Sequence, residues 1–321
     1  MSDTEKTTDE AKPQRKRGLR SDIGRIKFLE RDEFALTWIG QQYAIRLDQL
    51  QWLLGTMAGS TAEHDGWITE TAARNVVARW RSAGWVEAEQ IRAREPLWIW
   101  PTRKGLRKAG LPYNYRDIEQ TGLDDLKHLY AINEIRLCEC DEKETRWVSE
   151  RQLLYGLQHP RGKDLLHRPD AIAYWGDGRV IAIEAELSTK ITRDLLENLM
   201  ELVRGEEYLR LKNEYGPRRA REMAMGERGE FSEIWYFGPP KVRRQVRTAR
   251  KRLVDQGHLT EDEAGNIYTC WYPLTQTDEE EALEERENEG EFDRSVRATH
   301  AEEDEDEEIR LSSSEDRERE V

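Results

Sequence analysis

His167-Arg168-Pro169-Asp170-Ala171-Ile172-Ala173-Tyr174-Trp175-Gly176-Asp177-Gly178-Arg179-Val180-Ile181-Ala182-Ile183-Glu184-Ala185-Glu186-Leu187 is the stretch on which the reading of the fold turns. Two apolar runs flank Gly176-Asp177-Gly178, a tight-turn signal, so the segment is expected to be a β-hairpin with strands over 168–175 and 179–187. Antiparallel pairing sets the start of the first strand beside the end of the second, which brings Asp170 close to Glu184 and Glu186. A side-chain period of two places Glu184 and Glu186 on one face. Glu-x-Glu by itself is commonly a solvated strand edge; the third acid changes that. Three carboxylates at one sheet edge repel unless a proton or a cation joins them. A hard divalent ion, Mg or Mn, is the cofactor this pattern points to.

Working outward, the residues around the hairpin alternate between helical and extended patterns. Leu123 to Cys138 is expected to be a helix, with Leu126, Leu129, Ile132 and Ile135 on a broad apolar face. Arg146 to Glu150 reads as a strand, Thr189 to Asn213 as a long helix and Phe231 to Phe237 as a strand. A basic helix over Pro239 to Gln256 and a last strand over Tyr268 to Tyr272 follow. This order predicts a layered α/β domain over residues 115–277.

The preceding region, residues 25–114, has a different rhythm. Apolar residues recur at helical spacing over Leu47 to Leu54, with Gly55 as a stop. Thr69 to Trp85 holds Ala73, Val76, Val77 and Trp80 on one helical face and directs Arg74, Asn75, Arg79 and Arg81 largely elsewhere. Two short extended runs, Trp85 to Gln90 and Pro96 to Trp100, are joined by a tip carrying Arg92 and Arg94. A short basic helix with Arg103 and Lys104 closes the region. Helix, helix and hairpin with a basic tip predict a winged helix, whose second helix enters the major groove while the hairpin rests on phosphates. From Thr69 to Gly110 there are nine Lys and Arg against four Glu, the electrostatic footprint of a DNA-binding face. The same elements would also serve dimerisation, so a homodimer stays open. Trp98 and Trp100, on the hairpin, are read as core anchors or as residues near DNA.

Net charge is −14 over 321 residues, which by itself argues against nucleic acid. Its distribution reverses the inference. Residues 278–321 hold 21 acidic and 6 basic side chains, a net of −15, leaving residues 1–277 at about +1. Segments 1–24, a basic arm, and 278–321, an acidic tail, are expected to be disordered. The tail would act as a mimic of DNA phosphates on the basic faces. Three cysteines, Cys138, Cys140 and Cys270, make no disulfide framework or metal motif. No apolar run is long enough for a membrane span, and the cytoplasm is the expected compartment.

Pro169-Asp170, followed fourteen residues later by Glu184-Ala185-Glu186, resembles the PD-(D/E)XK signature of restriction-endonuclease-like phosphodiesterases. With a winged helix in front, residues 25–275 resemble the replication-relaxation family of plasmid and mobile-element proteins. His128-Leu129-Tyr130-Ala131-Ile132-Asn133-Glu134-Ile135-Arg136 and His167-Arg168-Pro169-Asp170-Ala171 carry that likeness. The resemblance implies a mixed sheet flanked by helices, a role in plasmid or mobile-element replication or mobilisation, and double-stranded DNA and other replication or mobilisation proteins as partners. It also implies a metal-dependent endonuclease site at Asp170, Glu184, Glu186 and Lys190, with Asp170 and Glu184 as the metal ligands. Glu186 stands where the motif has lysine, so Lys190, four residues on, is the candidate cation, and Glu134 a candidate further acid. His128 and His167, each lone beside apolar residues, are read as satisfied core residues rather than bases. The competing readings are a nuclease fold kept as a binding platform and a transcriptional regulator whose second domain serves oligomerisation or docking.

Overall fold

The computed structural model describes residues 26–57, 66–141, 144–156, 167–224, 226 and 229–270. The expected basic arm and acidic tail lie outside these residues. The chain is a mixed α/β protein built on two sheets.

The first sheet belongs to the N-terminal elements α1 (Glu30–Gln42), β1 (Ile45–Arg46), α2 (Leu47–Gly55), α3 (Glu70–Ser82), β2 (Val86–Glu89), β3 (Trp98–Pro101) and α4 (Arg103–Lys108). Its order is β1-β3-β2, antiparallel throughout, with Ile45 opposite Ile99 and Glu87 opposite Trp100. Helix α3 buries Ala73, Val76, Val77 and Trp80, the face its periodicity predicts, and Thr69 caps it by accepting from the Ala72 amide at 3.2 Å. Helix α1 and strand β1 were not legible from periodicity. The buried Asp32 anchors α1 instead: its carboxylate accepts from the Leu29 amide at 3.0 Å, from Arg79 and from the Trp80 indole at 3.0 Å. Trp98 and Trp100 are 2 % and 1 % exposed and pack with Ala44, Ile118 and Leu126. That burial is the core-anchor role read from the sequence, and it does not leave their rings free to contact DNA.

The second sheet runs β4-β5-β6-β7-β8. Its elements are α5 (Leu123–Glu139), β4 (Thr145–Ser149), α6 (Glu150–Gly156), β5 (Ala171–Trp175), β6 (Val180–Ala185), α7 (Thr192–Tyr215), α8 (Pro217–Met223), β7 (Glu233–Phe237), α9 (Pro240–Asp255), α10 (Glu261–Gly265) and β8 (Ile267–Cys270). Strands β4, β5 and β6 pair antiparallel, whereas β6–β7 and β7–β8 are parallel. Ile181, Ile183 and Ala185 join the α5 layer, while Ala182, Ile234 and Tyr236 pack with α7 and α9 on the other face. The expected hairpin is present, but its first strand starts at Ala171 rather than at Arg168, after a proline that has no amide to donate. The long helix begins at Thr192 and is broken at Gly205 (φ 67°, ψ −146°), where the Gly229 amide takes the Val203 carbonyl at 2.7 Å. A Cβ on Gly205 would come 3.2 Å from the Gly229 Cα, in a backbone region that L side chains rarely adopt.

The two sheets are joined through the end of α1. A helix leaves its last carbonyls without intrahelical partners, and here the second unit supplies them. Arg151 donates to the Gly40 carbonyl at 2.7 Å, Ser149 Oγ to the Gln41 carbonyl at 2.6 Å, and Asn133 Nδ2 to the Ala44 carbonyl at 2.9 Å. Gln49 Nε2 returns a bond to the Tyr130 carbonyl at 2.8 Å. Asn133 is fully buried, so Asn133→Leu strands the Ala44 carbonyl without water. The substitution is expected to destabilise the chain by about 1–3 kcal/mol, read as a lower urea midpoint; an unchanged midpoint would show that the seam contributes little.

Candidate functional site

The carboxylates meet where β6 ends. Ala171 pairs with Ile183, which sets Asp170 across from Glu184, and Asp170 Oδ2 accepts the Ala185 amide at 2.8 Å. Glu184 lies beside Tyr236 in the parallel register of β6 and β7. Asp170 and Glu184 therefore come together as the hairpin predicts, and Lys190, the cation the resemblance suggests, is bound through Nζ to Glu186 at 2.5 Å. Burial works to lower the Lys190 pKa, but its bond to Glu186 and the charges of Glu184 and Asp170 hold it above the ordinary lysine value.

Two histidines complete the arrangement, and neither is a mere core residue. His128, on α5, places Nε2 3.1 Å from Asp170 Oδ1. His167, three residues before Asp170, places Nε2 2.9 Å from Glu184 Oε1. Burial works to lower the His128 pKa, yet its bond to Asp170 outweighs that and raises it to about 9. His167 is raised in the same way, against burial, by Glu184. Glu184 itself is pushed up, first by burial and further by Asp170, with His167 pulling the other way. The His167 amide donates to Glu201 Oε2 at 2.5 Å, and Glu201 Oε1 accepts Lys212 Nζ at 2.5 Å. Each acid of the cluster thus already has an imidazole or ammonium neighbour.

This bears on the expected metal. Both Asp170 oxygens are in hydrogen bonds, and Glu184 Oε1 is bonded to His167. A divalent ion would need the oxygens that the imidazoles occupy, and Glu186 offers carboxylate where a catalytic cation is wanted. Among the described residues no group of three or more His, Cys, Asp or Glu side chains is arranged to hold a metal ion. The residues as arranged do not fit Mg or Mn. The Tyr236 hydroxyl, fully buried beside these acids, has no hydrogen-bond partner among the described residues, and burial raises its pKa well above the ordinary value. Glu134 is separate: it is buried on α5 and lines another cavity with Arg46 and Leu187.

The candidate DNA-binding residues divide into two groups. Arg74, Asn75 and Arg81 lie on the solvent face of α3, with Arg74 in an exposed pair with Glu70 at 2.6 Å and Arg81 3.8 Å from Glu89. Arg94 is exposed at the hairpin tip with a φ of 70°, and Arg103 is exposed on α4. The others are tied into the fold. Arg79 binds Asp32 and the Lys27 carbonyl, Arg92 pairs with Glu95 at 3.2 Å, and Lys104 Nζ donates to the Ala83 carbonyl at 2.6 Å.

No family model, curated protein or solved structure matches the chain.

The His128 pKa supplies a pH test. Its folded value, about 9, stands above the ordinary 6.5, so the stability it contributes is complete below pH 6.5 and is lost as pH rises through 9. Urea midpoints of the wild type are expected to fall between about pH 6 and about pH 10, and those of His128→Asn to fall less. Equal slopes for the two proteins would show that the Asp170–His128 pair does not carry this linkage.

Proposed function

We propose that the chain is a duplex-DNA-binding protein of the replication-relaxation type. In this reading the N-terminal unit is a winged helix that docks on DNA, and the second unit is a restriction-endonuclease-like domain kept as a binding platform. The order α1-β1-α2-α3-β2-β3, with β3 central in its sheet, supports the winged-helix reading. Three antiparallel strands continued by two parallel ones, with helices on both faces and an Asp170–Glu184 pairing, support the nuclease-like reading.

The observation that carries DNA binding is the solvent face of α3. Thr71, Arg74, Asn75, Ala78 and Arg81 are all exposed along one side, while the apolar side is buried. A guanidinium at either end gives phosphate or guanine contacts, an amide suits adenine, and the small Ala78 lets the helix approach a groove. Beside it, the hairpin places Arg94 in solvent, where it can meet backbone phosphate. The role in plasmid or mobile-element replication rests on the resemblance of the two quoted segments. The platform reading rests on the histidines: with Asp170 hydrogen-bonded to His128 and Glu184 to His167, no metal ion is required to hold the acids together.

A gel-shift series on duplex DNA at increasing salt tests the reading. Wild type is expected to shift duplex with a steep salt dependence. Arg74→Ala and Arg81→Ala should each reduce the slope of log affinity against log salt by about 1 without altering the melting temperature. Absence of any shift at low salt, or variants indistinguishable from wild type, would refute the assignment of the α3 face. In the same preparation, supercoiled plasmid with Mg or Mn should remain intact. Nicking that disappears with chelator and in Asp170→Ala would replace the platform reading with a metal-dependent endonuclease.

A further inference from the structure

A cavity of about 320 Å³ opens where the end of α1 meets α5 and α6, and Asp170 lies at its wall. That volume is at the lower end of the range for small-molecule sites. Its lining is rich in donors that the fold leaves over. Gln42 is 3 % exposed, and its Nε2 has no hydrogen-bond partner among the described residues. Thr121 Oγ1 is likewise buried and unpartnered. A buried amide and hydroxyl without partners are costly unless something that enters the cavity accepts from them.

The charges around the cavity point the same way. Its three acids already have cations: Asp125 lies 3.7 Å from Arg116, Glu150 3.0 Å from Arg168, and Asp170 3.1 Å from His128. Arg151 remains. It is 5 % exposed, donates to the Gly40 and Asn114 carbonyls, and has no carboxylate within ion-pair distance among the described residues. Burial lowers its pKa to about 10, as expected for a cation without a counter-charge. Its guanidinium lies 4.5 Å from the centre of the Tyr43 ring, and that of Arg116 lies 4.8 Å from the same ring. Tyr43 is held at φ 73° and ψ −52°, a strained γ-turn conformation for a residue with a side chain. Strain of this kind collects at ligand clamps.

We infer that this cavity is a binding site for a small phosphate-bearing ligand of mononucleotide size or less, held by Arg151 and the Gln42 amide and by Arg116, which would exchange its long, exposed pair with Asp125 for the ligand. Phosphate is the anion that suits two guanidiniums and neutral donors in one recess. Its source is a free nucleotide or the terminal phosphate of a nucleic-acid strand. Gln42 and Tyr43 end α1, and α1 binds α3 through Asp32 and Arg79. Occupancy would therefore stiffen the element that supports the α3 face. The site needs no duplex, so it stands or falls apart from the proposed DNA-binding reading.

Calorimetric titration of the full chain distinguishes the sources. The probes are inorganic phosphate, dAMP, deoxyadenosine and a short single strand with either a 5′-phosphate or a 5′-hydroxyl. Free-ligand recognition predicts binding of dAMP, none of deoxyadenosine, and at least tenfold weakening in both Gln42→Leu and Arg116→Ala. Strand-end recognition predicts preference for the 5′-phosphorylated strand over its 5′-hydroxyl twin, with the same weakening. Melting curves of both variants show whether they are folded, and Arg116→Ala, at the cavity rim, keeps the test available if Gln42→Leu is not. No binding of any phosphate probe, binding that ignores the phosphate, or affinity unmoved in every folded variant overturns the site.

Discussion

The last carbonyls of α1 need hydrogen-bond donors, and residues more than ninety positions away in sequence supply them. Much of the architecture follows from that requirement. Arg151 and Ser149, at the junction of β4 and α6, cap Gly40 and Gln41, while Asn133 on α5 holds Ala44. Separating the units would exchange these bonds for bonds to water and would also expose the apolar side of the seam. Trp98 and Trp100 seal the same junction on its apolar side. The two sheets therefore share one seam, and a change at its cavity reaches the helix that faces solvent.

Compensation of charge organises the second unit in a similar manner. A sheet edge that gathers Asp170, Glu184 and Glu186 needs positive charge, and the chain draws it from three separate elements. His128 comes from α5, His167 from the segment before β5, and Lys190 from the loop before α7. Each pair is short, and each is at least partly shielded from water, so the field of one acid is felt by the next cation. Glu201 and Lys212 extend the chain of contacts along α7. The cluster is a stable polar network as it stands, which is why a metal is not required to explain its geometry.

The hairpin and its consequences were legible in the sequence because a side-chain period of two and a Gly-Asp-Gly turn leave little freedom of register. Asp170 was brought close to Glu184 and Glu186 on that basis alone, and Ala73, Val76, Val77 and Trp80 were placed on one helical face by their spacing. The histidines were present in the quoted segments but gave no signal, since a lone imidazole beside apolar residues has the same pattern whether or not it meets an acid. Arg79 looked equivalent to Arg74 and Arg81, because periodicity does not reveal that Asp32, 47 residues earlier, waits beneath it.

What the sequence determined by itself is local: the helices and strands with clear periodicity, the apolar face of each, where the carboxylates gather and where the charge lies. Those properties depend on residues within a turn or a hairpin of one another. Only the tertiary structure decided which polar groups are partnered. Whether Arg79 faces solvent, whether Asp170 meets a histidine, and whether Gln42 has an acceptor all depend on contacts between distant segments. Partnering, more than residue type, separates a side chain that holds the fold from one free to meet a ligand.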